Sequence, residues 1–123
     1  MAMAALDIAS RLDLDDLTGT TAGGLHLATM GSVWQAIVFG FAGIRPANGV
    51  LHLAPRVPEA WGTLELRLRF RGSRVRIHME PDVTEIHTDP RIRVAVGDLA
   101  PVQVPAAGGR WISKAGRWEE MDR

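Results

Sequence analysis

Hydrophobic and polar residues alternate most regularly between residues 64 and 79, in the stretch LELRLRFRGSRVRIHM. Apolar side chains occupy every second position up to Phe70 and again from Val75 onward, on either side of Gly72-Ser73. A period of two around a two-residue turn predicts a β-hairpin. Shorter runs of the same kind predict further strands at 50–53, 83–88, 91–96 and 101–104.

The segment from Leu25 to about Ala42 follows another pattern, because apolar residues occupy almost every side of the helix that it predicts. Its apolar members are Leu25, Leu27, Met30, Val33, Trp34, Ile37, Val38, Phe39 and Phe41. Such a helix is either buried in a larger protein or spans a membrane. A span needs about 20 consecutive apolar residues, and this run is interrupted by polar ones, so a buried helix is favoured. The interrupting residues are His26, Thr29, Ser32 and Gln35.

A buried helix needs neighbours, and the chain predicts only one other helix, a short one over residues 4–12. Gly40 and Gly43 end the long helix, and Pro46 prevents it from continuing. Strands follow. The predicted fold class is therefore α+β, with helices first and then an antiparallel sheet whose apolar face a second sheet or helices must cover, as in a partial β-sandwich.

The last stretch of the chain, residues 106–123, shows no sustained period. It is predicted to be an irregular tail in which Trp111 and Trp118 pack back on the rest of the chain.

Composition narrows the possible functions. The chain has 123 residues, with 14 basic and 14 acidic side chains, so no overall charge favours nucleic acid or an anionic membrane. A hydrophobic content of 46% is enough for a core. The absence of cysteine excludes disulfides and thiolate metal sites. Because the N-terminus has no basic stretch followed by an apolar run, a cytoplasmic location is expected.

Five arginines crowd into ten positions of the predicted hairpin. A turn at Gly72-Ser73 would place Arg71 opposite Arg74 and Arg69 opposite Arg76. Like charges directly opposed destabilise a hairpin by roughly 0.2–1 kcal/mol per pair. We therefore expect an acidic surface, of a larger enzyme or of a partner chain, to cover this face.

A series of short motifs over roughly residues 5–105 resembles the C-terminal part of glycoside hydrolase family 65. That family includes maltose, trehalose, kojibiose and nigerose phosphorylases and some hydrolases. The order and spacing of the motifs together carry the resemblance. The matching residues are Thr21, Gly24, Leu25, His26, Leu27, Ala28, Trp34, Gly40, Phe41, Gly43, Arg45, Pro55, Arg56, Pro58, Trp61, Arg71 and Gly72.

The resemblance implies an architecture. Residues 1–46 would be the terminal helices of an (α/α)6 catalytic barrel, and residues 47–105 the C-terminal β-sandwich domain. The apolar helix would then belong inside a barrel most of which this chain does not contain, so the chain is expected to be a fragment of a longer enzyme and to be inactive by itself.

The resemblance also implies phosphorolysis, in which a carboxylic acid protonates the glycosidic oxygen and phosphate takes the place of the attacking water. An anion site can be argued from the residues, because Gly23-Gly24 precede a long helix whose free N–H groups would face an oxyanion. In this reading Thr20, Thr21, Gly24 and His26 bind phosphate. The alternative is that Thr20 or Thr21 only caps the helix and that His26 is a packed or solvent-facing residue.

The resemblance supports the phosphate reading, since the family's histidine in this motif lies at the phosphate pocket. One departure is Gly23, where the family commonly has glutamate. Inorganic phosphate would be a co-substrate, with an α-linked disaccharide as the other substrate, and no cofactor is expected.

No acid in the chain matches a catalytic motif, so no catalytic residue is predicted and the general acid is expected elsewhere in the barrel. Asp13, Asp15 and Asp16 are interpreted as a solvated loop at a helix end. The histidines lack the spacing of a helical metal site, so no metal is expected. They are His26, His52, His78 and His87.

Two alternatives stay open. The chain could be a stand-alone β-rich module that self-associates or docks on another protein, without catalysis. Alternatively, a separately encoded chain could supply the missing barrel.

Overall fold

The computed structural model describes residues 1–121 and contains two compact units, Met1–Gly40 and a second that begins at Phe41. The first unit holds two helices, α1 (Ala2–Arg11) and α2 (Leu27–Gln35), which pack against each other. A π-helical turn, Ala36–Phe41, continues α2. Both helices predicted from the hydrophobic pattern are confirmed, with ends that differ by a few residues.

The second unit contains two sheets and is β-sandwich-like, so the α+β class is confirmed. The four-stranded sheet has the order β1-β2-β6-β7 and the five-stranded sheet the order β3-β4-β5-β8-β9. The strands are β1 (Arg45–Ala47), β2 (Val50–Leu53), β3 (Leu64–Phe70), β4 (Ser73–Met79), β5 (Val83–Asp89), β6 (Arg93–Val96), β7 (Val102–Gln103), β8 (Gly109–Lys114) and β9 (Arg117–Glu120).

The boundary between the units falls earlier than the predicted division after residue 46. Ala42 and Ile44 are fully buried, and the backbone here is tied to the segment after β2. The Arg56 N–H donates to the Phe41 carbonyl at 2.7 Å, and the Ala54 N–H donates to the Gly43 carbonyl at 3.2 Å. These bonds make residues from Phe41 onward part of the sheet unit.

The hairpin of β3 and β4 is confirmed, but its predicted register is wrong. The structure pairs Arg69 with Arg74 and Phe70 with Ser73, so the turn residues are Arg71 and Gly72. Both have positive φ, 50° and 83°, the conformation that a type I′ hairpin turn requires. The two registers differ by two positions and place the same side chains on the same face, so periodicity could not choose between them.

One strand pair departs from the expected antiparallel pattern. β2 and β6 run parallel, with Val50 opposite Arg93 and Leu53 opposite Val96. The other paired strands of the described residues are antiparallel. β2 and β6 supply the core of the smaller sheet through Leu51, Leu53 and the buried stretch 94–96.

The predicted irregular tail over residues 106–123 is wrong where the structure describes it, because most of residues 106–121 form β8 and β9 at the edge of the larger sheet, while residues 122–123 lie outside the described residues. The packing of Trp111 and Trp118 on the rest of the chain is confirmed. Trp111 in β8 is only 1% exposed, and its ring lies against the backbone of Gly109, where an added Cβ would come within 2.4 Å of it. Trp118 in β9 packs over Gly97. At Gly97 and Gly109 the absence of a side chain lets a tryptophan ring approach the backbone. The strands β8 and β9 therefore pack through two tryptophans and not through a long alternation of apolar residues.

Candidate functional site

The loop between α1 and α2 carries the four residues predicted to bind phosphate. It contains a short 3₁₀ turn, Thr21–Gly23, and it ends at His26, which is the N-cap residue of α2. The structure brings Thr20 and His26 together, with 3.3 Å between Thr20 Oγ1 and His26 Nε2. The Thr20 hydroxyl also lies 2.7 Å from the hydroxyl of Thr18. An imidazole nitrogen and two hydroxyls therefore form a polar cluster at the start of α2.

Asp13 holds the other side of His26. Its Oδ1 lies 2.5 Å from His26 Nδ1, and its Oδ2 accepts a hydrogen bond from the His26 backbone N–H at 2.8 Å. The Asp13 side chain is 8% exposed, whereas that of His26 is 35% exposed. The hydrogen bond from the imidazole keeps the pKa of the Asp13 carboxyl below its ordinary value of 3.8, so this carboxylate is ionised at neutral pH.

The interpretation of the acidic residues as a solvated loop end is wrong for Asp13, whose side chain is largely buried, whereas Asp15 and Asp16 are exposed. Besides Asp13, Asp16 accepts a hydrogen bond from the Thr21 backbone N–H at 2.9 Å. This bond, together with the Thr21 side chain, lowers the pKa of Asp16. Asp15 does lie at the surface, where it pairs with Arg11. Two carboxylates therefore fix the path of the loop, a role that the pattern of charges did not indicate.

The N–H groups of Gly23 and Gly24, which precede the helix, are already used within the loop. The Gly23 N–H donates to the Thr20 carbonyl at 2.9 Å, and the Gly24 N–H donates to the Thr21 carbonyl at 3.0 Å. Gly24 has a φ of 136°, a conformation that side-chain-bearing residues rarely adopt. The loop therefore offers side chains to an anion, chiefly the His26 ring and the Thr20 hydroxyl. Phosphate binding by Thr20, Thr21, Gly24 and His26 stays a prediction.

The other histidines lie in the second unit, on strands. His78 and His87 border one hollow of about 240 Å³ together with Arg76 and Glu85. His78 pairs with Glu80 at 3.3 Å, and the His87 ring packs against Gly108. Within residues 1–121, no group of three or more histidine, aspartate or glutamate side chains is arranged to hold a metal ion.

The arginine face of β3 and β4 is partly neutralised by acids of the same sheet. Glu65 accepts from Arg67 through Oε1 at 2.8 Å and from Arg76 through Oε2 at 3.0 Å. Asp89, opposite Arg74 in the register, pairs with it at 3.0 Å. The acidic charge expected from another surface is thus supplied in part by this chain.

We expect Glu65→Gln to lower the stability of the sheet unit in a pH-dependent way. The hydrogen bonds from Arg76 and Arg67 hold the pKa of Glu65 below its ordinary value of 4.5. Because the folded pKa is the lower one, the stabilisation is fully present above pH 4.5 and is lost as pH falls through the folded pKa. Urea midpoints of the two proteins should differ at pH 7 and converge in acid. If the urea midpoints of the two proteins differed by the same amount at pH 7 and in acid, the lowered pKa of Glu65 would be contradicted.

In the described part of the chain, no helix combines the length and the hydropathy that a membrane crossing needs.

Comparison with known proteins finds a matching family model, similar sequences and a similar solved structure. Residues 44–99 match the family model described as the C-terminal domain of glycosyl hydrolase family 65. The α,α-trehalose phosphorylase of Geobacillus stearothermophilus is 38% identical over 78 residues, which cover 63% of this chain and 10% of that protein. An uncharacterized glycosyl hydrolase of Mycobacterium tuberculosis is 40% identical over 119 residues, with 79% of this chain and 15% of that protein covered.

A solved structure supports the fold. It is a human-microbiome protein provisionally named a kojibiose phosphorylase, with a TM-score of 0.74 and 23% identity, and the match covers 96% of this chain and 14% of that one. The chain spans 10% and 15% of the length of the two curated relatives described above. The family match, together with these relatives, shows that residues 44–99 are a C-terminal region of glycosyl hydrolase family 65.

Proposed function

We propose that this chain is the C-terminal part of a family 65 phosphorylase or hydrolase of α-linked disaccharides, in which α1 and α2 take their places among the helices of an (α/α)6 barrel. The observation that carries the proposal is the uncovered apolar surface of α2. Leu27 is 73% exposed and Trp34 is 57% exposed, and none of the residues Leu27–Gln35, all of them described, is fully buried. A helix with this surface is suited to a place among other helices.

The groove between α1 and α2 supports the same placement. It has a volume of about 350 Å³ and a mostly apolar lining. Its lining residues are Ala9, Ser10, Asp13, Leu14, Leu25, Thr29, Met30 and Val33. Apolar side chains of a neighbouring barrel helix would fill this groove and remove its lining from water, which is favourable by about 25 cal/mol for each Å² of apolar surface.

In this arrangement the start of α2 forms one edge of a phosphate pocket. The His26 ring and the Thr20 hydroxyl are the groups that would contact phosphate oxygens directly, while Thr21, whose hydroxyl oxygen is buried, and Gly24 give the loop its path. A protonated imidazole donates a charge-assisted hydrogen bond to phosphate. The general acid that protonates the glycosidic oxygen would come from barrel residues outside this chain.

The test combines this chain with a polypeptide that carries the remaining barrel of a trehalose, maltose or kojibiose phosphorylase. Release of glucose 1-phosphate from the matching disaccharide and inorganic phosphate is then measured. We expect activity from the combination and none from this chain by itself. His26→Gln should lower the rate about 100-fold, the loss typical of removing one hydrogen-bond donor to a reacting oxyanion.

His52→Gln is the matched control, because His52 lies on β2 in the other unit. It should leave the rate unchanged. An inactive combination with every barrel, or equal losses from the two variants, would contradict the proposal.

A second candidate is a non-catalytic module that associates with itself or docks on another protein. The exposure of Leu27 and Trp34 also favours this function, because exposed apolar patches mark interaction surfaces. The two candidates predict different results in the glucose 1-phosphate assay, since only the first restores activity to a barrel.

A further inference from the structure

Asp13 makes two separate hydrogen-bond contacts with one residue, His26. One carboxylate oxygen meets the imidazole at Nδ1 (2.5 Å) and the other accepts from the backbone N–H (2.8 Å). The two contacts fix both the position of the His26 backbone at the start of α2 and the rotation of its ring. Asp13 is separated from His26 by the whole loop, so this pair also closes the loop.

The geometry decides which ring nitrogen carries a proton. An ionised carboxylate only accepts hydrogen bonds, so the Nδ1 atom facing Asp13 must be the donor. The lowered pKa of Asp13 agrees with this, since the carboxylate is ionised at neutral pH. Nε2 is then the atom that points to the Thr20 hydroxyl, at 3.3 Å, and it remains on the more exposed side of the pair.

We propose that Asp13 is a positioning residue for His26: by accepting from Nδ1–H it fixes the ring orientation and, in the neutral ring, the Nδ1–H tautomer, so that Nε2 is presented beside Thr20 Oγ1 to inorganic phosphate. In the neutral ring Nε2 accepts from a phosphate hydroxyl, and in the protonated ring Nε2–H donates to a phosphate oxygen. This rests on the proposed function of His26 as a phosphate ligand. Asp13 itself does not touch the phosphate in this scheme, because a carboxylate would repel it. Its role resembles that of the carboxylates that orient metal-binding or catalytic histidines through their second nitrogen.

The first test reads the tautomer directly. The full chain is labelled with ¹⁵N-histidine, and the Nδ1 and Nε2 resonances of His26 are recorded at a pH where the ring is neutral. We expect the Nδ1–H form in the unmodified chain and a shift towards the Nε2–H form in Asp13→Ala. Asp13→Glu keeps a carboxylate and should restore the Nδ1–H form at least in part. Asp15→Ala is the matched control, because Asp15 lies in the same loop and pairs with Arg11.

The second test measures affinity for inorganic phosphate by titration of the same labelled chains, each combined with the barrel polypeptide that completes the pocket. Loss of one charge-assisted hydrogen bond corresponds to about a tenfold weaker Kd, and we expect a loss of this size in Asp13→Ala. Asp15→Ala should bind as the unmodified chain does. The amide spectrum of residues 1–40, recorded on uniformly labelled chains, shows whether the unit that carries each substitution is folded.

The outcomes separate the two proposals. An unchanged tautomer in Asp13→Ala would overturn the positioning role, whatever the phosphate result. A changed tautomer with undiminished phosphate affinity would overturn it too. If the unmodified chain shows the Nδ1–H form but His26 does not respond to phosphate when the chain is combined with the barrel polypeptide, the phosphate-ligand function fails, and the positioning of His26 by Asp13 stands.

Discussion

Replacing Trp111 with alanine is expected to remove about 3–5 kcal/mol from the free energy of unfolding of the sheet unit, the usual cost of deleting a fully buried indole. The ring is 1% exposed in β8 and fills the space above Gly109. Because small domains are stable by only about 5–15 kcal/mol, this loss is a large part of the total. Urea unfolding followed by near-ultraviolet circular dichroism measures it.

Trp118→Ala is the matched control. Trp118 lies on the neighbouring strand β9 and is only half-buried, so its removal should cost clearly less. A loss below about 1 kcal/mol for Trp111→Ala, or equal losses for the two variants, would contradict the finding that β8 belongs to the core.

Replacing Leu27 and Trp34 together with serine is expected to weaken self-association of the chain about 100-fold or more. Burial of a large apolar side chain contributes about 1.5–3 kcal/mol, and two such contributions multiply the dissociation constant by this factor. Both side chains are more than half exposed on α2, and Trp34 meets Phe39 edge to face with 5.9 Å between ring centroids. Sedimentation equilibrium measures the dissociation constant.

Gln35→Ser is the control for this pair, since it changes a polar residue on the same helix. It should leave association unchanged. If the double variant associates as strongly as the unmodified chain, the contact between copies does not involve this surface.

Much of the fold follows from periodicity in the sequence. The β3–β4 hairpin was predictable because its alternation is long and uninterrupted, and α2 was predictable because its apolar positions cover a whole helix. The turn at Arg71-Gly72 was not, because a register shifted by two positions keeps the same faces buried. β8 and β9 were not predicted, because these strands have no long alternation of apolar residues. They pack through Trp111 and Trp118, whose rings lie against Gly109 and Gly97.

The candidate site was predictable only in part. His26 and Thr20 were found because they lie near the start of a predicted helix, and the structure brings them together. Asp13 was not found, because its contact with His26 depends on the path of the loop between them. The hydrogen bonds of Gly23 and Gly24 to the preceding carbonyls likewise depend on the 3₁₀ turn, which spacing did not indicate.

We propose that the apolar side chains of α2 contact helices that residues 1–121 do not supply. Light scattering of the unmodified chain over a range of concentrations tests it most directly. We expect a dimer or larger species that dissociates when Leu27 and Trp34 are replaced with serine. A monomer at every concentration, stable and soluble with both residues in place, would contradict it.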